Sequence, residues 1–95
     1  MTAASVGPSD VPRRSLGFRV RRVGSGLVIG FKDQALELSG SAELIYRCVD
    51  GHRTVEDVAA VVAAEYGIKE AQALADAAEF IGELAALGIL TIQDL

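Results

Sequence analysis

The side chains able to do chemistry are few in this chain, and they stand apart. The one cysteine, Cys48, has no base placed beside it in the sequence and reads as a small core residue on a helix. The one histidine, His52, follows Gly51 in a turn, with no Cys or second His to share a metal, and reads as a solvated loop residue. Arg13, Arg14, Arg19, Arg21 and Arg22 form a basic cluster. It is either a solvated strand face and arm or a contact for an acidic partner or acidic peptide. Gly24-Ser25-Gly26 lacks the spacing and the Lys-Ser/Thr ending of a phosphate loop. The acids at 56, 57, 65, 70, 76, 79 and 83 are spread around helical positions, as a solubilising face and not as paired carboxylates for acid–base work. No nucleophile, base or metal set is assembled, so the sequence points away from an enzyme and implies no cofactor.

Composition sets the frame for what remains. A chain of 95 residues makes one domain. Area scaling gives about 14,000 Å² exposed when unfolded and about 5,000 Å² when folded, which supports a real but thin core. Half the residues are apolar, with ten Gly and two Pro, a globular composition. The longest apolar runs fall far short of the ~20 residues that span a bilayer, and the N-terminus has neither the basic start nor the apolar stretch of a secretory signal. No membrane association is expected, and the expected location is the cytoplasm. Met1 and the segment after it are read as the start of a complete protein.

Charge is asymmetric. Residues 1–53 carry eight Lys/Arg against five acids, a balance of +3; residues 54–95 carry eight acids and only Lys69, a balance of −7. A duplex-binding surface needs positive charge on the element that enters the groove. The acidic C-terminal half therefore argues against nucleic acid as a partner. A winged-helix DNA-binding regulator is the alternative reading that this charge disfavours.

The elements that must position any site follow from periodicity. Residues 1–16, with Pro8 and Pro12, read as a flexible arm, and residues 17–95 as the folded domain. Phe18–Val23 alternates with a period near two, Leu27–Phe31 is a second strand, and Ala35–Leu38 is a third, short one. Short turns at Gly24-Ser25-Gly26 and Lys32-Asp33-Gln34 join them into a three-stranded antiparallel meander. The period then becomes helical at Ala42, Ile45, Cys48 and Val49, with Ser39 or Ser41 able to cap the start and Gly51 placed as a left-handed C-cap. Thr54-Val-Glu-Asp57 has the pattern of a capping box. Val55, Val58, Ala59, Val62 and Tyr66 form the stripe of a second helix that Gly67 stops. A third helix spans about Glu70 to Leu87, and Ile89–Ile92 is a short apolar tail, a brief strand or a core plug. The fold class is α+β, in the order βββααα.

Two features hint at a binding surface. The apolar residues of the third helix, Phe80 and Leu84 among them, cover an arc of about 180°, where a surface helix on one core needs little more than ~100°. The surplus either packs under the tail or lines a groove, and Gly82 in mid-helix, costing about 1 kcal/mol relative to Ala, fits a close backbone approach or simply tight packing. The third strand is the other feature. A meander leaves an outer strand edge, and Ala35–Leu38 protects its own with one charge, Glu37. A strand edge beside an apolar helix face is a place where an extended peptide can add itself as a strand. A second copy of the chain could pair there too.

The run Leu38-Ser-Gly-Ser-Ala42, Ile45, Val49-Asp50-Gly51 and Arg53-Thr-Val-Glu-Asp-Val58, continued by Glu65-Tyr66-Gly67, Leu84 and Leu87-Gly-Ile-Leu90, resembles the PqqD-like family, the RiPP recognition elements. The likeness spans about residues 17 to 92, and its specificity lies in the ordered series after the meander, not in one short motif. Where that family often has Asn after the Leu closing the third strand, this chain has Ser39, which can also cap a helix.

The resemblance implies a winged helix-turn-helix-like fold and a non-enzymatic binding protein, a peptide chaperone. It would hold the leader of a ribosomally made, post-translationally modified precursor peptide and present it to a maturation enzyme: a radical-SAM enzyme, a leader protease or a cyclase. The leader would lie antiparallel along the third strand, in the cleft against the third helix. Carried onto this chain, the cleft would be built from Ala35, Leu36, Glu37 and Leu38 on one side and Ala73, Asp76, Ala77, Phe80, Glu83 and Leu84 on the other. Strand pairing is expected from the first set, apolar pockets from Ala77, Phe80 and Leu84, and charge selection from Asp76 and Glu83.

Overall fold

The computed structural model describes residues 6–93. Eight elements follow in order: β1 (Val11–Arg14), β2 (Arg19–Val23), β3 (Gly26–Phe31), β4 (Gln34–Leu38), α1 (Gly40–Cys48), α2 (Val55–Tyr66), α3 (Glu70–Ala86) and β5 (Leu90–Gln93). The central order is the expected α+β meander and three helices, β2-β3-β4 being the antiparallel sheet. The strand expected to be third is β4.

The arm expected over residues 1–16 is revised in its second part; residues 1–5 lie outside the described ones. Val11–Arg14 forms a strand that pairs antiparallel with the tail, from Val11 opposite Gln93 to Arg14 opposite Leu90. The physical reason is mutual: each short segment has backbone groups that its neighbours in sequence cannot satisfy, and each satisfies the other's. Ser15 ties the ribbon off, its N–H donating to the Ile89 carbonyl at 3.0 Å and its hydroxyl lying 2.7 Å from that of Thr91. Further upstream, the carbonyls of Asp10 and Pro8 accept the N–H groups of Val55 and Glu56 at 2.9 Å each, two of the free donors that open α2.

Thr54 completes that helix start. Its Oγ1 accepts from Asp57 N–H at 3.0 Å while the Asp57 carboxylate accepts from Thr54 N–H at 3.1 Å, the capping box read in the sequence. Gly67 closes α2 with φ +64°. The other end signals differ in detail. Ser39 is the N-cap of α1 without a side-chain cap bond, and the C-cap is Val49 in extended backbone, with Gly51 two residues beyond it in the left-handed region.

The core lies between the inner face of the sheet and the three helices. Ile29, Val55, Val58, Ala73, Ala77 and Ile81 are fully buried, and Leu38, Ile45, Leu84, Ile89 and Leu90 are nearly so. Full burial of a side chain such as Ile81 is worth about 1.5–3 kcal/mol. The expected α2 stripe holds at Val55, Val58, Ala59 and Val62 and fails at Tyr66, 48% exposed, because the helix stops there and the ring turns out beside Gly40 and Leu44. Arg22 of β2 reaches the buried Glu43 of α1 at 2.8 Å, an ion pair that fixes the sheet on the helix.

Candidate functional site

The border of β4 is the first component. Its hairpin with β3 turns through two residues, Lys32 and Asp33, closing on the pair Phe31–Gln34. A two-residue turn closes on a pair that exchanges both backbone hydrogen bonds, and the antiparallel ladder alternates from there. Gln34, Leu36 and Leu38 therefore direct N–H and C=O at β3, while Ala35 and Glu37 direct theirs away from the sheet. Among the described residues no strand pairs with that border. Side chains sort by the same parity. Leu36 and Leu38 share the inner face with Ile29 and Leu27, and Ala35 and Glu37 stand exposed on the outer face.

The second component is a cleft of about 260 Å³ between α1 and α3, lined by Ser41, Ala42 and Ile45 on one side and Asp76, Glu79, Phe80 and Glu83 on the other. Ser39 alone separates β4 from α1 in the chain, but no β4 residue lines the cleft, so the expected wall opposite the third helix is supplied by α1 and not by the strand. The floor is apolar: buried Ile45 and half-buried Ala42 and Phe80. The rim carries three carboxylates, and no Lys or Arg is among the lining residues.

The expected site residues thus divide. Ala35, Glu37, Asp76 and Glu83 are exposed, and Leu36 and Phe80 are half-buried. Leu38, at 3% exposure, and Ala73, Ala77 and Leu84, at 1% or less, belong to the core. The pockets expected of Ala77 and Leu84 are therefore filled by the protein itself, because that half of the α3 arc faces α2 and the buried Ile89 and Leu90. The open question over Phe80 and Leu84 resolves one residue each way. Phe80 lines the cleft and Leu84 the core.

Sequence reasoning missed the α1 wall and Glu79. The signal for the wall was present, since 41, 42 and 45 share one helical face. Glu79 was read with the solubilising acids, although it lies three residues from Asp76 on the same face.

Two groups away from the site are shifted from their ordinary values. Burial raises the Tyr46 phenol, partly offset by the Arg14 guanidinium 4.6 Å above its ring. The N–H groups of Arg53 and His52 hold Asp50 below the usual carboxylate range. Among the described residues no three His, Cys, Asp or Glu side chains gather as a metal site, and no helix is long and apolar enough to cross a membrane. The chemistry offered by border and cleft is backbone pairing, apolar contact and negative charge.

Comparison with known proteins bears on what that chemistry serves. The family model for coenzyme PQQ synthesis protein D (PqqD) matches residues 26–90, from the start of β3 to the start of β5. The fold superposes with a TM-score of 0.77 on the solution NMR structure of the PqqD truncation of Methylobacterium extorquens PqqCD, at 28% identity over 93% of this chain and 95% of that one. That protein is described as a functional, stand-alone recognition element for ribosomally synthesised and post-translationally modified peptides. No curated protein matches the chain by sequence.

Proposed function

The chain belongs to the PqqD family, and on that premise we propose that it binds the leader of a ribosomally made precursor peptide by strand addition to β4 and presents it to a modifying enzyme. The observation that carries this reading is the parity of the β3–β4 hairpin beside an apolar-floored cleft. Ala35 and Glu37 offer two N–H donors and two C=O acceptors in the register that an antiparallel strand requires. A leader paired there sends alternate side chains toward the helices, over Phe80 and the α1 wall. The other side chains face outward with Glu37. The acids Asp76, Glu79 and Glu83 at the rim favour a leader with a basic residue near its apolar anchor. About ten ordered leader residues would bury on the order of 1,000–1,400 Å² in total. Ordering them costs free energy, so affinity belongs in the sub-micromolar to micromolar range.

The test separates the two parities of β4. Glu37→Pro removes an outward N–H and leaves the β3 ladder intact, since an edge strand tolerates Pro on its solvent side. Calorimetric titration with the cognate leader peptide should show at least a roughly tenfold loss of affinity, equivalent to ~1.4 kcal/mol, with an unchanged fold by circular dichroism. Phe80→Ala should weaken the same titration through the apolar anchor. Wild-type affinity in both variants would rule out this binding mode.

A further inference from the structure

At the opposite end of α1 from the cleft lies a second concavity of quite different character. Its volume is about 510 Å³, and its walls come from β1, the end of α1, the loop to α2, and β5. Arg13, Arg14 and Arg47 face it together with His52, and Asp50 is the one acid in the lining. Asp50 is already engaged: its carboxylate accepts the N–H groups of His52 at 2.9 Å and Arg53 at 2.8 Å and lies 3.6 Å from the Arg53 guanidinium. Among the described residues no carboxylate lies within ion-pair distance of Arg13 or Arg14, whereas Arg47, 60% exposed, lies 3.6 Å from Glu43 on its own helix.

Arg14 is held in place before anything binds. Arg14 donates from Nη2 to the carbonyls of Tyr46 at 3.3 Å and Arg47 at 3.4 Å while stacking over the Tyr46 ring. A guanidinium fixed in this way gives up little further freedom on meeting an anion. It also neutralises the carbonyl end of α1, which would otherwise repel one. The floor is set too. Gln93 donates from Nε2 to the Gly51 carbonyl at 3.0 Å, and Gly51 holds φ +82° with only 3.5 Å between its absent Cβ and Gln93.

We propose that this face is a second docking site, taking the carboxylates of an acidic protein segment. The arrangement favours spaced single charges over one dense one. The guanidiniums come from successive positions of β1 and from the end of α1, and a compact dianion such as phosphate among them would also face Asp50. An extended segment with Asp or Glu at intervals meets the arginines one by one and avoids it. Along α1 the cleft is lined by Ser41, Ala42 and Ile45 and this site by Arg47 and the residues after the helix, so the two share no lining residue. A leader in the cleft and an acidic segment here can thus be held together, which suits a protein that must touch two partners.

The test is an NMR titration of the ¹⁵N-labelled full chain with an N-acetylated, C-amidated Glu-Gly repeat decapeptide. The matching Gln-Gly peptide and inorganic phosphate are the comparison arms. The Glu-Gly peptide should shift the amides of Arg13, Arg14, Arg47, Gly51 and His52, and its binding should weaken with added salt. The double variant Arg13→Gln/Arg47→Gln alters two exposed side chains, so it should keep the fold and lose roughly tenfold or more in affinity for two charge-assisted contacts. Equal binding of the Gln-Gly peptide, or shifts centred elsewhere, would overturn the proposal. So would tighter binding of phosphate on the same amides. Asp94 follows Gln93 in the sequence; if Asp94→Asn raises peptide affinity tenfold, the chain's own carboxylate is the natural occupant and the proposal fails.

Discussion

The ribbon of β1 and β5 and the border of β4 are similarly short, four residues per strand in the one and five in the other. The chain treats them in opposite ways. In the ribbon, two segments far apart in sequence satisfy each other's backbone and bury Pro12 and Leu90. At β4, Ala35 and Glu37 keep their outward groups unpaired by any described strand, with one carboxylate as guard. A bare edge invites pairing with other chains, and proteins usually blunt it. Here the terminal strands cover each other, while β4, next in the chain to the apolar-floored cleft, has one described partner, as does β2. Charge follows the same division, with carboxylates around the cleft and arginines beside the ribbon.

The strongest way to break this contrast is by truncation on each side. Leu90→Ala in the ribbon should cost about 2–5 kcal/mol in urea unfolding, because a nearly fully buried side chain leaves a cavity. Leu36→Ala on the half-buried border should cost about 1 kcal/mol, with less apolar area returned to water. Equal costs would mean that β4 is as much a core element as β5.

Hydrogen exchange sharpens the contrast within one strand. In the free protein the Ala35 and Glu37 amides should exchange roughly tenfold or more faster than Leu36, and leader should slow them by at least as much. Slow exchange of both amides in the free protein would show the border already covered.

The smallest effect concerns the ribbon's seat on α1. Burial raises the Tyr46 phenol, so the fold favours its neutral form. That contribution is complete below the unfolded value of about 10 and declines as pH rises from there through the raised folded value. Urea midpoints should therefore fall in that alkaline range, and Tyr46→Phe should flatten the fall.

Local signals carried much of this molecule. Thr54 and Asp57 announced the start of α2, Gly67 its end, and alternation gave the meander, because each of these depends on residues within a few positions of one another. Strand β1 was invisible for the opposite reason. Its partner Gln93 lies at the far end of the chain, and Val11–Arg14, with its proline and two arginines, carries no strand pattern of its own. Asp76, Phe80 and Glu83, which helical spacing puts along one edge of α3, line the cleft. Ala77 and Leu84, which the resemblance implied for the cleft, are buried in the core, and Ser41, Ala42 and Ile45, read only as a cap and a stripe of the first helix, line the cleft.

By itself the sequence determined the kinds and order of the central elements, the family likeness, and the separation of acidic from basic halves. These are properties of neighbours along the chain and of composition. Only the tertiary structure decided which half of the broad apolar arc of α3 is core and which end of the chain closes on which. It also decided which amides of β4 look outward. Burial is a property of what packs on top of a residue, and for α3 that cover comes from α2 and the tail, elements that no local window on the helix contains.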